Sequence, residues 1–277
     1  MRKSFAKNES PLLIGVVREK TIRGALAMIR NCEYHGATAL DLHLSCLDED
    51  ARTVESLSRI VEATRLPILG LNYCQTYDMQ PAPMDEETRL GLLWRFIEAG
   101  GAAVDMQGYS FDAPSKQAFR TEFSHLPHSF VSCQPKEVVM DEAIIEKQMA
   151  FIDRVHAAGG EVLLSTHTGV PMTCEQVVDM AKFLEKRGPD VLKIVTPCPD
   201  EEHLGVIIQS MIALKKAVSI PVHLHGNGKA GMLSRLINPL LGGYLIFCCD
   251  GYTESSNYEQ LDLQTARRAL DDLRKMM

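Results

Sequence analysis

The feature that most constrains the fold is a regular alternation of short apolar runs and longer amphipathic segments. The amphipathic segments carry apolar residues three and four positions apart and several end in glycine, as helices often do. The apolar runs are rich in leucine and β-branched residues, which indicates parallel strands buried on both faces. The eight runs lie at 12–17, 39–44, 67–72, 102–107, 161–167, 190–195, 221–226 and 244–249.

Eight strand–helix units in 277 residues predict an α/β protein, a (β/α)8 TIM barrel that forms a single domain over residues 1–277. An open doubly wound sheet is the alternative, but no GxGxxG motif follows the first apolar run. An irregular stretch at about 108–140 follows the fourth strand and is longer than a barrel loop needs. Because loops at the carboxyl ends of barrel strands border the active site, it is expected to be a lid or specificity element.

The composition of the chain indicates which kinds of partner and which cellular compartment to expect. The formal net charge of −7 gives no general attraction for nucleic acid or an anionic membrane. The amino terminus predicts a first strand rather than a signal peptide, and no run approaches the ~20 apolar residues of a membrane span. Eight cysteines without CxxC pairs predict reduced thiols and a cytoplasmic protein.

Lys193 is the most informative single residue. It lies in the middle of the apolar run VLKIV, where a parallel barrel strand offers no solvent face. A desolvated amine loses its proton more readily, which is how a lysine becomes a nucleophile toward a ketone or aldehyde. The alternative is a lysine that extends to a carboxylate at the barrel rim.

Polar residues gather near the predicted carboxyl ends of the strands, where barrel enzymes place their chemistry. His167 is a candidate general acid or base, or else a hydrogen-bonded core histidine. The other candidates are Asp41, His43, Asn72, Tyr73, Asp105, Gln107, His223, His225 and Asn227.

Three segments together resemble one family. Residues 165–195 carry S-x-H, then a helix pattern, then a strand with K-I, as in the type I 3-dehydroquinate dehydratases. Residues 221–247 are similar to that family's G-x-x-S-R segment and its following aromatic residue, and SNYEQ (256–260) is similar to its S-x-x-x-Q. The strand–helix order matches from about residue 11 to the end.

The resemblance implies a Schiff-base lyase of the shikimate pathway that dehydrates 3-dehydroquinate. Lys193 would form the iminium, His167 would be the general acid and base, and Arg235 would clamp the substrate carboxylate. The same likeness implies no external cofactor, a small carboxylated ketone as ligand and a homodimer. It also implies substrate contacts from the last strand and loop, by Phe247, Ser256 and Gln260.

Several positions depart from the family pattern. Asp41-Leu42-His43 replaces E-x-R on the second strand, Tyr73 falls near a missing strand-3 arginine, and Gln107 replaces a strand-4 glutamate. In that family these positions hold the ring hydroxyls, so we expect rewritten hydroxyl recognition, with 3-dehydroquinate or a related compound as the substrate. The residues expected to take part are Asp41, His43, Tyr73, His225 and Asn227.

Three other functions stay open. One is a different lysine Schiff-base lyase or aldolase, and another is a ligand-binding sensor without turnover. The third is a metal-dependent lyase, because His223 and His225 form an HxH pattern that suits zinc, manganese or iron. The first strand lacks the aspartate that such lyases carry, so hydrogen-bonding histidines are favoured over a metal site.

Two further motifs have simpler interpretations. The acidic clusters 48–50 and 85–87 are typical of solvated helix starts rather than of paired catalytic carboxylates. GNGKAG (226–231) lacks the spacing and the Ser/Thr of a phosphate-binding P-loop.

Overall fold

The protein is built from strands that each precede a helix. The computed structural model describes residues 2–73, 84–112, 138–252 and 259–275. The strands are β1 (Leu12–Val17), β2 (Ala39–His43), β3 (Ile68–Leu71), β4 (Ala103–Gln107), β5 (Glu161–His167), β6 (Val191–Pro197), β7 (Val222–Asn227), β8 (Leu245–Cys249) and β9 (Leu261–Asp262). The helices are α1 (Ile22–Tyr34), α2 (Val54–Glu62), α3 (Glu86–Glu98), α4 (Glu142–Ala157), α5 (Cys174–Glu185), α6 (Glu201–Ala217), α7 (Ser234–Leu240) and α8 (Leu263–Arg274).

All eight predicted strands are present, and the predicted helices lie between them. β9 was not predicted, because two residues beside β8 carry no recognisable pattern. Of the described helices, none is long and apolar enough to cross a membrane. The predicted loop at about 108–140 falls largely on 113–137, outside the described residues.

The described residues form two compact units. The first contains those of 1–105, 155–161 and 246–277, and the second those of 106–154 and 162–245. In the first unit, β3, β2, β1, β8 and β9 follow one another in that order, with the start of β4 beside β3. In the second unit, β5, β6 and β7 lie side by side in parallel.

The strands are largely apolar on the faces that pack against helices, and the polar residues of β6 and β7 are buried as well. Every residue of β1, β6, β7 and β8 is buried. Six helices begin after a polar residue whose side chain accepts a hydrogen bond from a backbone N–H of the first turn. These capping residues are Thr21, Thr53, Asp85, Thr173, Asp200 and Asp262.

The acidic clusters lie at helix starts, as the sequence predicted. Asp48 precedes a short 3-10 helix, and Asp85 caps α3 with Glu86 and Glu87 in its first turn. Carboxylates there are favoured by the partial positive charge of the helix amino terminus.

In the first unit, an amino-terminal arm binds groups at the amino ends of β4 and β5. Glu161, the first residue of β5, accepts hydrogen bonds from Ser4 Oγ (2.6 Å), Phe5 N (2.6 Å) and Ala6 N (2.7 Å). Arg2 donates to the carbonyls of Ile97 and Gly101, at 2.8 and 3.0 Å. Since barrel chemistry lies at the opposite ends of the strands, the arm should serve stability.

We therefore expect Glu161→Ala to lower the free energy of unfolding by about 2 kcal/mol, because three hydrogen bonds to a charged acceptor are lost. Chemical denaturation measures this change, and kcat should stay the same. Glu62→Ala, at an exposed position that ends α2, is the matched control and should change stability by less than ~0.5 kcal/mol. Equal stability of the two variants would contradict the role of the arm.

Candidate active site

In the second unit, the register of β5, β6 and β7 arranges polar residues in rows on one face. Ser165 pairs with Lys193, and Lys193 pairs with His223. Two residues further along the strands, His167 pairs with Val195, which pairs with His225. Because side chains alternate between the two faces of a strand, both rows share one face.

The other face of these strands packs against helices. Thr166, Ile194 and Leu224 alternate with the site residues. A Cβ added to Gly226 on β7 would approach Ile207 of α6 to 2.7 Å. The polar rows therefore face away from the helical layer.

Lys193 is buried at the centre of β6, as the sequence predicted, with only 4% of its surface exposed. His167 is 5% exposed and takes the position diagonal to Lys193 on the neighbouring strand. A diagonal pair on one face is within reach of long side chains. The structure thus brings the two predicted catalytic residues to adjoining positions.

His223 and His225 form a hydrogen-bonded pair. His223 Nε2 lies 2.9 Å from His225 Nδ1, and the ring centroids are 5.1 Å apart. Burial, with the positive charges of Arg235 and Lys193, lowers the pKa of His223 to about 3. Burial, then Arg235, His223, Lys193 and His167, lowers the pKa of His225 well below its usual value. Both rings are therefore neutral at physiological pH.

Arg235 is placed by a tight turn after β7. Gly231 lies so close to Gly226 that an added Cβ would meet the Gly226 carbonyl oxygen at 2.6 Å. Ser234 Oγ accepts from Gly226 N and donates to Gly231 O, at 2.9 and 2.6 Å. Arg235, the next residue, then donates from Nη2 to Asn227 Oδ1 at 3.0 Å. The two glycines of GNGKAG thus serve close backbone packing.

A separate buried network holds the ends of the long stretch after β4. Gln148 on α4 donates to the carbonyls of Gly108 and Ser110, at 3.1 and 2.8 Å. Arg187 donates to Gln148 Oε1 and, at 2.7 Å, to Val139 O. Burial lowers the pKa of Arg187 to about 10, and the guanidinium stays charged at neutral pH.

In the first unit, Asp41 and His43 are brought together at the end of β2. His43 Nε2 lies 3.3 Å from Asp41 Oδ2, and both residues are buried. The Tyr73 ring meets the His43 ring edge-on, with centroids 6.3 Å apart. These are three of the five residues that were expected to take part in rewritten hydroxyl recognition.

Arg89 on α3 supports this end of the first unit and was missed by sequence reasoning. It is fully buried, donates to Asn72 O at 2.8 Å and pairs with Glu86 through two nitrogens, at 2.7 and 2.8 Å. Its position in the sequence could have indicated this burial. Arg89 lies three and four positions before Leu92 and Leu93, on the apolar side of the helix.

The remaining predicted contacts belong to the last strands and loop. Phe247 on β8 and Gln260 are buried in the first unit, and the Gln260 carbonyl accepts a hydrogen bond from Tyr252 Oη at 2.8 Å. Ser256 lies outside the described residues.

The described part of the chain contains no group of three or more His, Cys, Asp or Glu side chains that could hold a metal. The facing nitrogens of His223 and His225 bind each other. This geometry does not support the metal site considered for the HxH pattern.

Comparisons with known proteins agree with the arrangement of strands. The 3-dehydroquinate dehydratase of Geobacillus kaustophilus HTA426 has a TM-score of 0.76 at 15% identity, over 98% of this chain and 93% of that one. A type I 3-dehydroquinate dehydratase from Clostridium difficile, with covalently modified comenic acid, has a TM-score of 0.72 at 13% identity, over 100% of both chains. The carboxyl transferase domain of Rhizobium etli pyruvate carboxylase, with 3-hydroxypyruvate, has a TM-score of 0.61 at 12% identity, over 95% of this chain and 43% of that one.

These likenesses show the fold, which is of the predicted (β/α)8-barrel class. No curated protein matches the sequence. The model of the family described as type I 3-dehydroquinase matches residues 16–277, nearly the whole length. The chain belongs to the type I 3-dehydroquinase family.

Proposed function

We propose that this protein is a 3-dehydroquinate dehydratase-like carbon–oxygen lyase that eliminates water from 3-dehydroquinate or a related carboxylated cyclic ketone. The observation that carries the proposal is a lysine buried in the middle of a parallel strand, diagonal to His167. Membership of the family supports the reaction class. No external cofactor is needed, because the lysine itself activates the ketone.

The first step forms the covalent intermediate. The amine of Lys193, after loss of a proton, attacks the ketone carbon and gives a carbinolamine, which loses water to leave an iminium. The positive nitrogen withdraws electrons from the adjacent carbon and acidifies its C–H bond. Lys193 is only 4% exposed, and this burial keeps bulk water from the step.

His167 is proposed to move the protons. Its ring takes the proton from the acidified carbon, and the β-hydroxyl then leaves as water. Hydrolysis of the iminium restores Lys193 and frees the unsaturated ketone, which is 3-dehydroshikimate if the substrate is 3-dehydroquinate. The adjoining positions of His167 and Lys193 support this division of roles.

Arg235 is proposed to bind the substrate carboxylate. A guanidinium presents paired donors that match the two oxygens of a carboxylate. Asn227 Oδ1 accepts from one nitrogen, Nη2, and orients the group. With His223 and His225 neutral, the formal positive charge of this cluster comes from Arg235 and Lys193, which suits an anionic ligand.

The other substrate contacts are proposed from the family resemblance. In the first unit, Asp41 and His43 offer a carboxylate and an imidazole where the family has glutamate and arginine, and Tyr73 adds a phenol. Such groups suit hydroxyl recognition. Phe247, Gln260 and Ser256 are proposed as further contacts.

We also propose a cytoplasmic location and a homodimeric assembly. The free cysteines of the described residues support a cytoplasmic enzyme. The homodimer follows from the family resemblance alone.

Borohydride trapping tests the covalent step. We expect the protein, mixed with 3-dehydroquinate and reduced, to gain a mass adduct that peptide mapping places on Lys193. Lys193→Gln should abolish the adduct and the turnover, because no other amine takes its position on β6. Lys216→Gln, at an exposed position on α6, is the matched control and should keep both.

Three outcomes have different meanings. An adduct on Lys193 with 3-dehydroshikimate as product supports both chemistry and substrate. An adduct with another product indicates a different Schiff-base lyase or aldolase. No adduct and no product from folded protein would refute the proposed dehydration of 3-dehydroquinate.

His167→Ala should separate the two steps. Removing the proton carrier should lower kcat by about 10²–10⁴-fold while borohydride still traps an adduct on Lys193. Rapid-quench trapping and steady-state assays measure the two quantities. Unchanged kcat would assign the proton transfer to another group.

Arg235→Lys tests the carboxylate contact. The change keeps the charge and removes the paired donors, so KM should rise by about 10–100-fold, with a smaller effect on kcat. Steady-state kinetics with 3-dehydroquinate measure both constants. Arg30→Lys, at an exposed position on α1, is the control and should change neither. An unchanged KM in Arg235→Lys would contradict the clamp.

A further inference from the structure

The His223–His225 pair lies beside Lys193, and the proposed mechanism does not use the contact between the two rings. Both residues are buried on β7, in the rows that contain Lys193 and His167. Besides burial, the charges of Arg235, Lys193 and His167 lower the pKa of His225, so all three lie near it. A hydrogen-bonded imidazole pair there can fix which nitrogen presents a proton to a ligand.

Two neutral imidazoles carry one N–H each, so the pair has two arrangements. In one, His223 Nε2–H donates to His225 Nδ1, which leaves a lone pair on His223 Nδ1 and an N–H on His225 Nε2. In the other, His225 Nδ1–H donates to His223 Nε2, which leaves an N–H on His223 Nδ1 and a lone pair on His225 Nε2.

The surroundings of His223 favour the first arrangement. Its Nδ1 is sealed from solvent and has no hydrogen-bond partner in the described structure. A buried N–H without a partner is rarer in proteins than an acceptor without one. The positive charges of Lys193 and Arg235 near His223 also favour a lone pair there over a proton.

The surroundings of His225 leave its proton available. Among the described residues, its hydrogen-bond partner is His223, through Nδ1. Its Nε2 is thus a neutral donor inside a cluster of cationic and catalytic groups. A donor in this position can bind a ligand or water that accepts from it.

We propose that His225 donates a hydrogen bond from Nε2–H to an oxygen of the substrate held by Lys193, and that His223 is a positioning residue that fixes this tautomer. The substrate contact rests on the proposed function, whereas the tautomer does not. The ligand class is a carboxylated ketone with a further oxygen substituent, hydroxyl or carbonyl, that accepts a hydrogen bond from His225. A substrate with an apolar group at this place leaves the buried donor without an acceptor and binds more weakly.

Nitrogen NMR tests the tautomer directly. The intact protein, labelled with 15N in its histidine rings, should show protonated Nε2 and unprotonated Nδ1 for both His223 and His225. His223→Gln and His225→Gln identify the signals by their loss. Protonated Nδ1 on the two residues would overturn the proposal.

Kinetics test the contact to substrate. His225→Leu should lower kcat/KM for 3-dehydroquinate by about 10–100-fold, and His225→Gln, which can place an amide N–H there, should recover part of the loss. His223→Leu should lower kcat/KM by about 3–10-fold, because the tautomer is no longer fixed. His223→Gln should restore most of that activity, since its amide can donate to His225 Nδ1. A purely structural role of His223 gives no such rescue.

Borohydride trapping distinguishes the two ways of failing. An adduct on Lys193 in the wild type with unchanged kcat/KM in His225→Leu overturns this inference alone. No adduct in the wild type overturns the proposed function and, with it, the substrate contact. Circular dichroism of each variant shows that it is folded before its kinetics are compared.

Discussion

The site depends on the alternation of side chains along parallel strands that are buried on both faces. In β5, β6 and β7, one set of alternating residues faces the helices and is mainly apolar. The other set can then be polar without weakening the helical packing, provided that its members satisfy one another. Ser165, Lys193 and His223 form one such row, and His167 and His225 belong to the next. Moving any of these strands by one residue would turn its polar set toward the helices.

The second unit places two basic side chains beside neutral histidines. Two formal cations, Lys193 and Arg235, lie near histidines that burial keeps neutral. Buried positive charges attract an anion more strongly than exposed ones, because little water screens them. In the first unit, the Asp41–His43 pair adds a carboxylate and an imidazole within 3.3 Å. The proposed carboxylate contact thus rests on Arg235, and the proposed hydroxyl contacts rest on Asp41 and His43.

Much of the fold and part of the site could be predicted from sequence, because both depend on local patterns. Apolar runs bounded by amphipathic segments located eight strands, and a lysine inside such a run indicated chemistry. Long-range contacts were not predictable in this way. Arg89 and Arg187 are buried through partners that the sequence does not place beside them, namely Asn72 and Val139. The HxH pattern suggested a metal pair as one option, whereas the rings bind each other, a distinction that depends on side-chain rotation.

The first unit is assembled from three separated parts of the chain, 1–105, 155–161 and 246–277. Its strand β1 has β8 as a neighbour, and the amino-terminal arm binds Glu161. During synthesis on the ribosome, β1 and the amino-terminal arm therefore emerge before β8 and Glu161, to which they bind. The second unit is nearly continuous in sequence and ends just before most of β8. The order of emergence thus lets β1, β2 and β3 pair first and β5, β6 and β7 later, and β8 then joins β1 in the part of the protein that was made earliest.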